Sequence, residues 1–184
     1  MLDLAIKHAP QLQYKYINII NTPKFKYYMS SPIIEYELPI YTNSQDRLQF
    51  VSLLKTGEVI GYFGAKLNLL TNTAYDLEII NFVDKNSTFT SDLFNFVDTL
   101  YKDYGVDRVV FNVIIGNPAE KLYDRLMNTF GGRVIGVFKN DVRLPDGKLY
   151  DVKYYEMFKD SVYQKINDRK INSLTYRDFG RSEV

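Results

Sequence analysis

The chain has 184 residues, 46% of them hydrophobic, which is typical of one globular domain with a full core. Its formal net charge of +1 gives no overall attraction to nucleic acid or to an anionic membrane. No cysteine and only one histidine are present, which excludes disulfides, a cysteine nucleophile and a metal site built from cysteines or several histidines.

The amino-terminal part, residues 1–46, is treated as variable. Apolar residues recur at helical spacing over 1–22, which predicts a mostly helical segment. An aromatic and basic segment follows at 23–33. Residues 33–41 contain a proline, which predicts an edge strand or an extended loop there.

The core of the chain, residues 47–158, combines strand-like and helix-like patterns. Helices are predicted at 91–104, with Thr90 as the N-cap, and at 118–130, with Asn117 as the N-cap. The first three strands follow one another on short turns and the last two are joined by an Asp-Gly turn, so both groups are predicted to be antiparallel. The six predicted strands are 48–54, 58–67, 74–83, 108–115, 133–142 and 149–158.

The carboxy-terminal part, residues 159–184, begins with a polar, helix-like stretch to about residue 172 and ends in a predicted loose tail at 177–184. No internal repeat or linker divides the chain. We therefore predict a single α+β domain over 1–184, with a mixed central sheet flanked by helices.

A motif stands between the strand at 108–115 and the closing hairpin. Val113 ends a buried strand, and Asn117, Ala119 and Tyr123 then form an Asn-x-Ala-x-x-x-Tyr helix start. This arrangement resembles the GNAT (N-acetyltransferase) superfamily of acyltransferases, and the resemblance covers roughly 47–158. It differs in spacing, because Tyr123 stands six residues after Asn117 where the family usually has seven.

The resemblance implies an acyl-CoA site, with acetyl-CoA as co-substrate and no metal. In the family, the pantetheine arm lies where the fourth and fifth strands part, and the pyrophosphate lies at the start of the following helix. The usual Arg/Gln-x-x-Gly-x-Gly/Ala loop is absent here, since no glycine occurs between Gly64 and Gly105. Hydroxyl groups and one lysine are left to bind phosphate; alternatively, the hydroxyl groups only cap the helix. The implied cofactor-binding residues are Phe82, Val83, Lys85, Thr88, Thr90, Ser91, Asn117 and Ala119.

The resemblance also implies acyl transfer to an amine, in which the amine loses a proton and the leaving thiolate gains one. Tyr123 is the candidate general acid, and Glu78, with Asp76 less favoured, is the candidate base acting through water. Glu78 and Asp76 are two residues apart and so share one face of a strand. The structural alternatives are a core tyrosine for Tyr123, the solvated face of a sheet for the two carboxylates, and a helix N-cap for Asn117.

Two functions stay open. The helix with Ala119 and Tyr123 favours an N-acyltransferase, whereas the missing glycine-rich loop favours a non-catalytic interaction or structural protein with the same fold. The segment at 23–33 folds over the acceptor cleft by the resemblance, or its aromatic side chains cap the core. The aromatic and basic patch at Lys24–Tyr28 within it is too short to carry nucleic-acid binding by itself.

Partners and location are bounded more loosely. The acceptor, a small-molecule or protein amine, is not identified by the sequence, and a homodimer is one option for assembly. The mixed amino terminus is not that of a signal peptide and no run suits a membrane span, which predicts a cytoplasmic protein or part of a soluble assembly. The abundance of Tyr, Asn, Ile, Lys and Phe is typical of an AT-rich genome, such as that of a low-GC bacterium or its phage.

Overall fold

The computed structural model describes residues 1–28, 35–42 and 44–168. Within them, seven strands form one mixed sheet, and three α-helices and a further helical stretch at 159–168 pack on it. The strands are β1 (Leu2–Leu4), β2 (Arg47–Leu53), β3 (Val59–Asn68), β4 (Thr73–Asn81), β5 (Arg108–Ile114), β6 (Arg133–Arg143) and β7 (Leu149–Phe158). The helices are α1 (Ala9–Ile20), α2 (Ser87–Lys102) and α3 (Glu120–Phe130). Short 3₁₀-helices lie at Ala5–His8 and Pro23–Tyr28.

The strand order in the sheet is β1-β2-β3-β4-β5-β7-β6. All neighbouring strands are antiparallel except β4 and β5, which are parallel. Their connection passes through α2, as a parallel pair requires a crossover. The predicted α+β fold, with an antiparallel meander, a helix, a strand, a helix and a closing hairpin, is therefore confirmed.

Each face of the sheet carries its own core. On one face, α1 packs over β2, β3 and the end of β4, and this is called the α1 face. On the other, α2 and α3 pack over β3, β4, β5 and β7, and this is called the α2/α3 face. Apolar residues recur at helical spacing along α2, so this segment, although rich in polar residues, forms a helix with one face packed on the sheet. Its buried apolar residues are Phe89, Leu93, Phe96, Leu100 and Tyr101.

Two boundaries differ from the sequence predictions. Residues 2–4 form β1, an edge strand paired with β2, where a helix was expected. The helix α2 begins at Ser87, four residues earlier than expected, and its N-cap is Asn86. The prediction of Thr90 as the N-cap is therefore wrong: the Asn86 carboxamide reaches the first-turn amides, and Thr90 lies one turn inside the helix.

The ends of the chain agree in part with the predictions. Residues 35–41 form no strand, which leaves the extended-loop alternative for that stretch. Residues 159–168 are helical, as expected, and their apolar side chains pack on the α2/α3 face. The predicted tail at 177–184 lies outside the described residues. Within the part of the chain that is described, no helix is long and apolar enough to cross a membrane.

Candidate functional site

The strands β4 and β5 part soon after they meet. Only two residue pairs join them, Thr73 with Arg108 and Ala74 with Val109, although β4 runs on to Asn81 and β5 to Ile114. The sheet is thus open between the later halves of two neighbouring strands. This opening is called the gap, and it is the feature that the family resemblance requires.

A bulge in β4 accounts for the divergence. Gly64 pairs with Glu78 and Lys66 with Tyr75, so two residues of β4 oppose one of β3. Asp76, in the bulge, has a left-handed φ of 53°, a conformation that aspartate tolerates better than most residues. Such bulges bend a strand and increase its twist, and this bend carries β4 away from β5.

The edge of β4 that faces the gap can be identified from the register. The Phe82 N–H donates to the Ile60 carbonyl of β3, and the ladder alternates along an antiparallel pair. The backbone groups of Ile79 and Asn81 therefore face away from β3, towards the gap. Phe82, predicted to contact the pantetheine arm, has its own N–H committed to β3, so Asn81 is the better backbone candidate.

The opposite edge of the gap belongs to β5. The Ile115 N–H donates to the Asp151 carbonyl at 2.9 Å, and by the same alternation the backbone groups of Asn112 and Ile114 face the gap. The Ile114 carbonyl accepts the Asn117 N–H at 3.0 Å. The gap is thus bordered by amide groups from both strands that have no partner in the sheet, which suits an amide-rich extended ligand.

The start of α2 is already capped. Asn86 Oδ1 accepts the N–H of Thr88 at 2.9 Å and that of Phe89 at 3.3 Å. These are the donors that a helix N-terminus offers to an anion, so a phosphate would compete with Asn86 for them. Thr90 and Ser91 are exposed in the next turn, and the Thr90 N–H bonds the Asn86 carbonyl at 3.3 Å.

The loop before α2 places the remaining predicted residues at the mouth of the gap. Lys85 is exposed, with a left-handed φ of 53°. The Val83 N–H donates to Asn81 Oδ1 at 3.0 Å, which tightens the turn out of β4. Phe89 does not enter the loop: its ring is buried and stacks on Phe63 at 5.0 Å.

The start of α3 lies across the gap from this loop. Asn117 Oδ1 accepts the Ala119 N–H at 2.9 Å. However, α3 begins at Glu120 and Ala119 holds its N-cap position, so the prediction of Asn117 as the N-cap is wrong and its side chain instead tightens the turn before the helix. Ala119 is partly buried on the α2/α3 face. Contact of Asn117 or Ala119 with a ligand stays a prediction.

Tyr123 projects from α3 towards the gap. Its ring is 8% exposed and packs edge-on against Phe111 at 5.2 Å. Burial raises its pKa, and the nearby Tyr28 hydroxyl on the other side of the sheet adds to the shift. No hydrogen bond to its hydroxyl is found among the described residues, where no polar side-chain atom is both buried and unpaired.

Glu78 lies on the α1 face, opposite to Leu77 and Ile79. The Tyr62 hydroxyl donates to Glu78 Oε2 at 3.0 Å and accepts from Gln49 Nε2 at 2.8 Å. The Glu78 side chain is exposed to solvent, but its carboxylate lies in a cleft and has protein on several sides. This partial desolvation raises the pKa of Glu78, and the Tyr62 hydrogen bond opposes the shift.

Asp76 shares the Glu78 cleft but has a partner of its own. Asp76 and Glu78 both border it, as their two-residue spacing predicted. Lys66 forms an ion pair with Asp76, which leaves Glu78 as the better-placed base.

The 3₁₀-helix Pro23–Tyr28 covers the α1 side of the gap. The Tyr28 hydroxyl lies 3.5 Å from the Asn81 carbonyl, and the Tyr27 hydroxyl is the nearest group to Gly116, before α3. Lys26 contacts the Tyr150 hydroxyl at 3.3 Å. These contacts agree with the alternative in which this segment folds over the acceptor cleft.

A cavity of about 350 Å³ lies on the α2/α3 face of the gap. Its walls come from β4, β5, α2, α3 and residues 162–166. No group of three or more His, Cys, Asp or Glu side chains among the described residues could hold a metal ion.

Comparison with known proteins defines the class of fold. No protein-family model matches the sequence, and no curated protein sequence matches it. Solved structures do match, and the fold is that of GNAT N-acetyltransferases. A spermidine N-acetyltransferase from Vibrio cholerae, solved with CoA and spermine, has a TM-score of 0.70 and 16% identity, over 89% of this chain and 97% of that chain. A GCN5-related N-acetyltransferase from Brucella melitensis has a TM-score of 0.60 and 16% identity, over 87% of this chain and 76% of that chain.

Several groups at the site were not found from the sequence. Asn86 was overlooked because four hydroxyl residues follow it, each an acceptable cap by itself. Tyr62 and Gln49 act on Glu78 through the register of three strands, which no local pattern reveals. Glycine at position 64 leaves room for this pair, because a Cβ there would lie 2.8 Å from the Tyr62 hydroxyl and 3.0 Å from Glu78 Oε2.

Proposed function

We propose that this protein is an acyl-CoA-dependent N-acyltransferase that transfers the acyl group directly to an amine. The observation that carries the proposal is the gap between β4 and β5, with two residue pairs at its base and amide groups along both edges that have no partner in the sheet. An extended pantetheine arm would take the place of the missing ladder, as an added strand does at a sheet edge.

The two candidate proton-transfer groups lie on opposite faces of the gap. Tyr123 comes from the α2/α3 face and Glu78 from the α1 face. A thioester in the gap would have its sulfur on the Tyr123 side and its carbonyl open to an amine from the Glu78 side. This separation suits direct attack, with no covalent intermediate on the protein.

The proton balance follows from these positions. The amine attacks the thioester carbonyl, the C–N bond forms and the C–S bond breaks. The amine proton passes through water to Glu78, whose raised pKa makes it a stronger base than an ordinary carboxylate. The Tyr123 phenol, kept protonated by its raised pKa, donates a proton to the leaving thiolate and is reprotonated from solvent.

A non-catalytic protein with the same fold is the second candidate. The observation that favours it is Asn86, which already bonds the first-turn amides that would hold the pyrophosphate. Acetyl-CoA binding separates the two candidates, because a non-catalytic protein that lost its phosphate site has no reason to bind CoA.

Calorimetric titration with acetyl-CoA and with CoA tests the proposal. We expect micromolar binding. Thr88→Glu places a negative charge in the first turn of α2, which should weaken binding about tenfold through repulsion of the pyrophosphate. The control Thr71→Glu adds the same charge in the exposed turn before β4, beyond the base of the gap, and should leave the affinity unchanged.

The outcomes are distinct. Loss of affinity in Thr88→Glu alone supports a pyrophosphate at α2. Equal affinity in both variants would place the phosphates elsewhere and contradict this arrangement. No heat at millimolar acetyl-CoA would leave the non-catalytic protein as the remaining candidate.

A further inference from the structure

We propose that the cavity on the α2/α3 face is an acyl-chain pocket, and that the donor carries an acyl chain of several carbons rather than an acetyl group. This inference rests on the proposed function, since it concerns the donor of the same reaction. It is carried by the volume of the cavity, by its lining and by its connection to the gap.

The volume far exceeds what an acetyl group needs. At about 350 Å³, the cavity has roughly ten times the ~30 Å³ that one water molecule occupies in the liquid. The cavity is partly open to solvent, so without a ligand its mainly apolar lining stays in contact with water, which is unfavourable. A space of this kind beside a reaction site is explained if a ligand fills it.

The residues that line the cavity favour a hydrocarbon chain over water or a polar ligand. Apart from Tyr123, the tyrosine hydroxyls around the cavity are paired: the Tyr101 hydroxyl donates to the Met157 carbonyl at 3.2 Å, and the Tyr163 hydroxyl donates to Asp98 at 2.9 Å. Within the described residues, no buried side-chain polar atom lacks a partner. A water molecule needs two to four polar partners, so the interior offers little to water and much to an apolar chain.

The cavity opens onto the gap. Leu77 and Ile79 line it from β4, and Phe111 lines it from β5. All three lie beyond the two pairs that join these strands, so the side chains that border the gap on this face are also walls of the cavity. Tyr123 lines the cavity too, which places its ring beside the passage from thioester to chain.

Part of the wall is built by the carboxy-terminal helical residues. Val162 and Ile166, from the helical residues after β7, line the cavity together with α2 and α3. The chain of a donor would run from the gap, past Phe111, towards these two residues. The carbonyl would stay in the gap, where an amine on the Glu78 side can reach it.

The test compares acyl-CoA thioesters of increasing chain length. Each methylene that enters the cavity should strengthen binding about fourfold. In calorimetric titrations of the full chain with acetyl-, butanoyl-, hexanoyl- and octanoyl-CoA, affinity should therefore rise steeply and level off once the cavity is full. Turnover with a panel of amines should favour the same donors.

A cavity-filling variant locates the effect. Val97 lines the cavity from α2, and Val97→Phe should abolish the chain-length dependence while leaving acetyl-CoA binding unchanged. The matched control is Val137→Phe on exposed β6, which should keep the dependence. Leu126→Phe, from the α3 wall, serves as a second filling variant if Val97→Phe does not fold.

Three results would overturn the inference, and they can be told apart. If acetyl-CoA binds as well as octanoyl-CoA, the cavity takes no acyl chain, and the proposed function stands without it. If no CoA ester binds at all, the proposed function fails and this inference fails with it. Chain-length dependence that survives both filling variants would place the chain outside the cavity and also contradict the proposal.

Discussion

The contact between Gly61 and Phe89 shows how closely α2 is held over the sheet. A Cβ on Gly61 would lie 2.2 Å from Phe89 Cε2 and 3.1 Å from the Ile80 carbonyl oxygen. The Phe89 ring has little room to retreat, because it stacks on Phe63 with centroids 5.0 Å apart. Gly61→Ala therefore has to push the first turn of α2, and with it the mouth of the gap, away from β3.

The expected loss of stability follows from two opposing effects. Adding a methyl group to a packed core costs ~1–3 kcal/mol. Replacing glycine by alanine in a compatible backbone returns ~0.4–1 kcal/mol by restricting the unfolded chain. We expect a net fall of ~1–2 kcal/mol in the free energy of unfolding, or a drop in Tm of about 2–8 °C for a chain of this size.

Thermal and urea unfolding followed by circular dichroism measure this change. Gly136→Ala is the matched control, because a Cβ at that position in β6 would meet nothing within 4 Å, and it should be neutral or slightly stabilising. Adding Phe89→Leu to Gly61→Ala should recover part of the loss, since the two sites are in contact. Equal stability of the two alanine variants would refute the close packing of α2 on β3.

Two further predictions concern the proposed chemistry. Because Glu78 must be ionised to accept a proton and its pKa is raised, kcat/KM should fall as pH drops through a value above that of an ordinary glutamate. Glu78→Gln should remove this acid limb, whereas Asp76→Asn should move it to lower pH, since Asp76 contributes to the raised pKa of Glu78. An unchanged limb in Glu78→Gln would assign the base elsewhere. Tyr123→Phe should lower kcat at least ~10-fold with little change in Tm, because no described residue bonds that hydroxyl. The control Tyr101→Phe should lower stability by ~0.5–1.5 kcal/mol through loss of the hydrogen bond to the Met157 carbonyl and leave kcat unchanged; equal kcat in both tyrosine variants would exclude Tyr123 as the acid.

The sheet could be predicted from the sequence because its strands are marked by local patterns. The β-branched run at Arg108–Ile114 and the Asp-Gly turn before Leu149 are signals within a few residues of the elements they define. The strand β1 was missed because three residues are too few to show alternation. Its position depends on pairing with β2, almost fifty residues away.

The candidate site was predictable in its residue types but not in its geometry. The spacing along α3 placed Tyr123 near the end of β5, and the alternation along β4 placed Glu78 on the solvated side. The left-handed Asp76, by contrast, depends on two strands falling out of register, which is a property of the assembled sheet. The same register decides that Asn81, rather than Phe82, turns its amide groups to the gap.

The narrow join between β4 and β5 also has a mechanical consequence. Two residue pairs are the only backbone pairing, among the described residues, between the four strands β1–β4 and the three strands β5–β7. The helices α2 and α3 pack across both parts on one face of the sheet. A ligand lying along both open edges would hydrogen-bond to both parts of the sheet and so hold them together along the gap. Such a ligand would stabilise the sheet as well as react, so the free energy of unfolding should rise with the fraction of protein that has ligand bound.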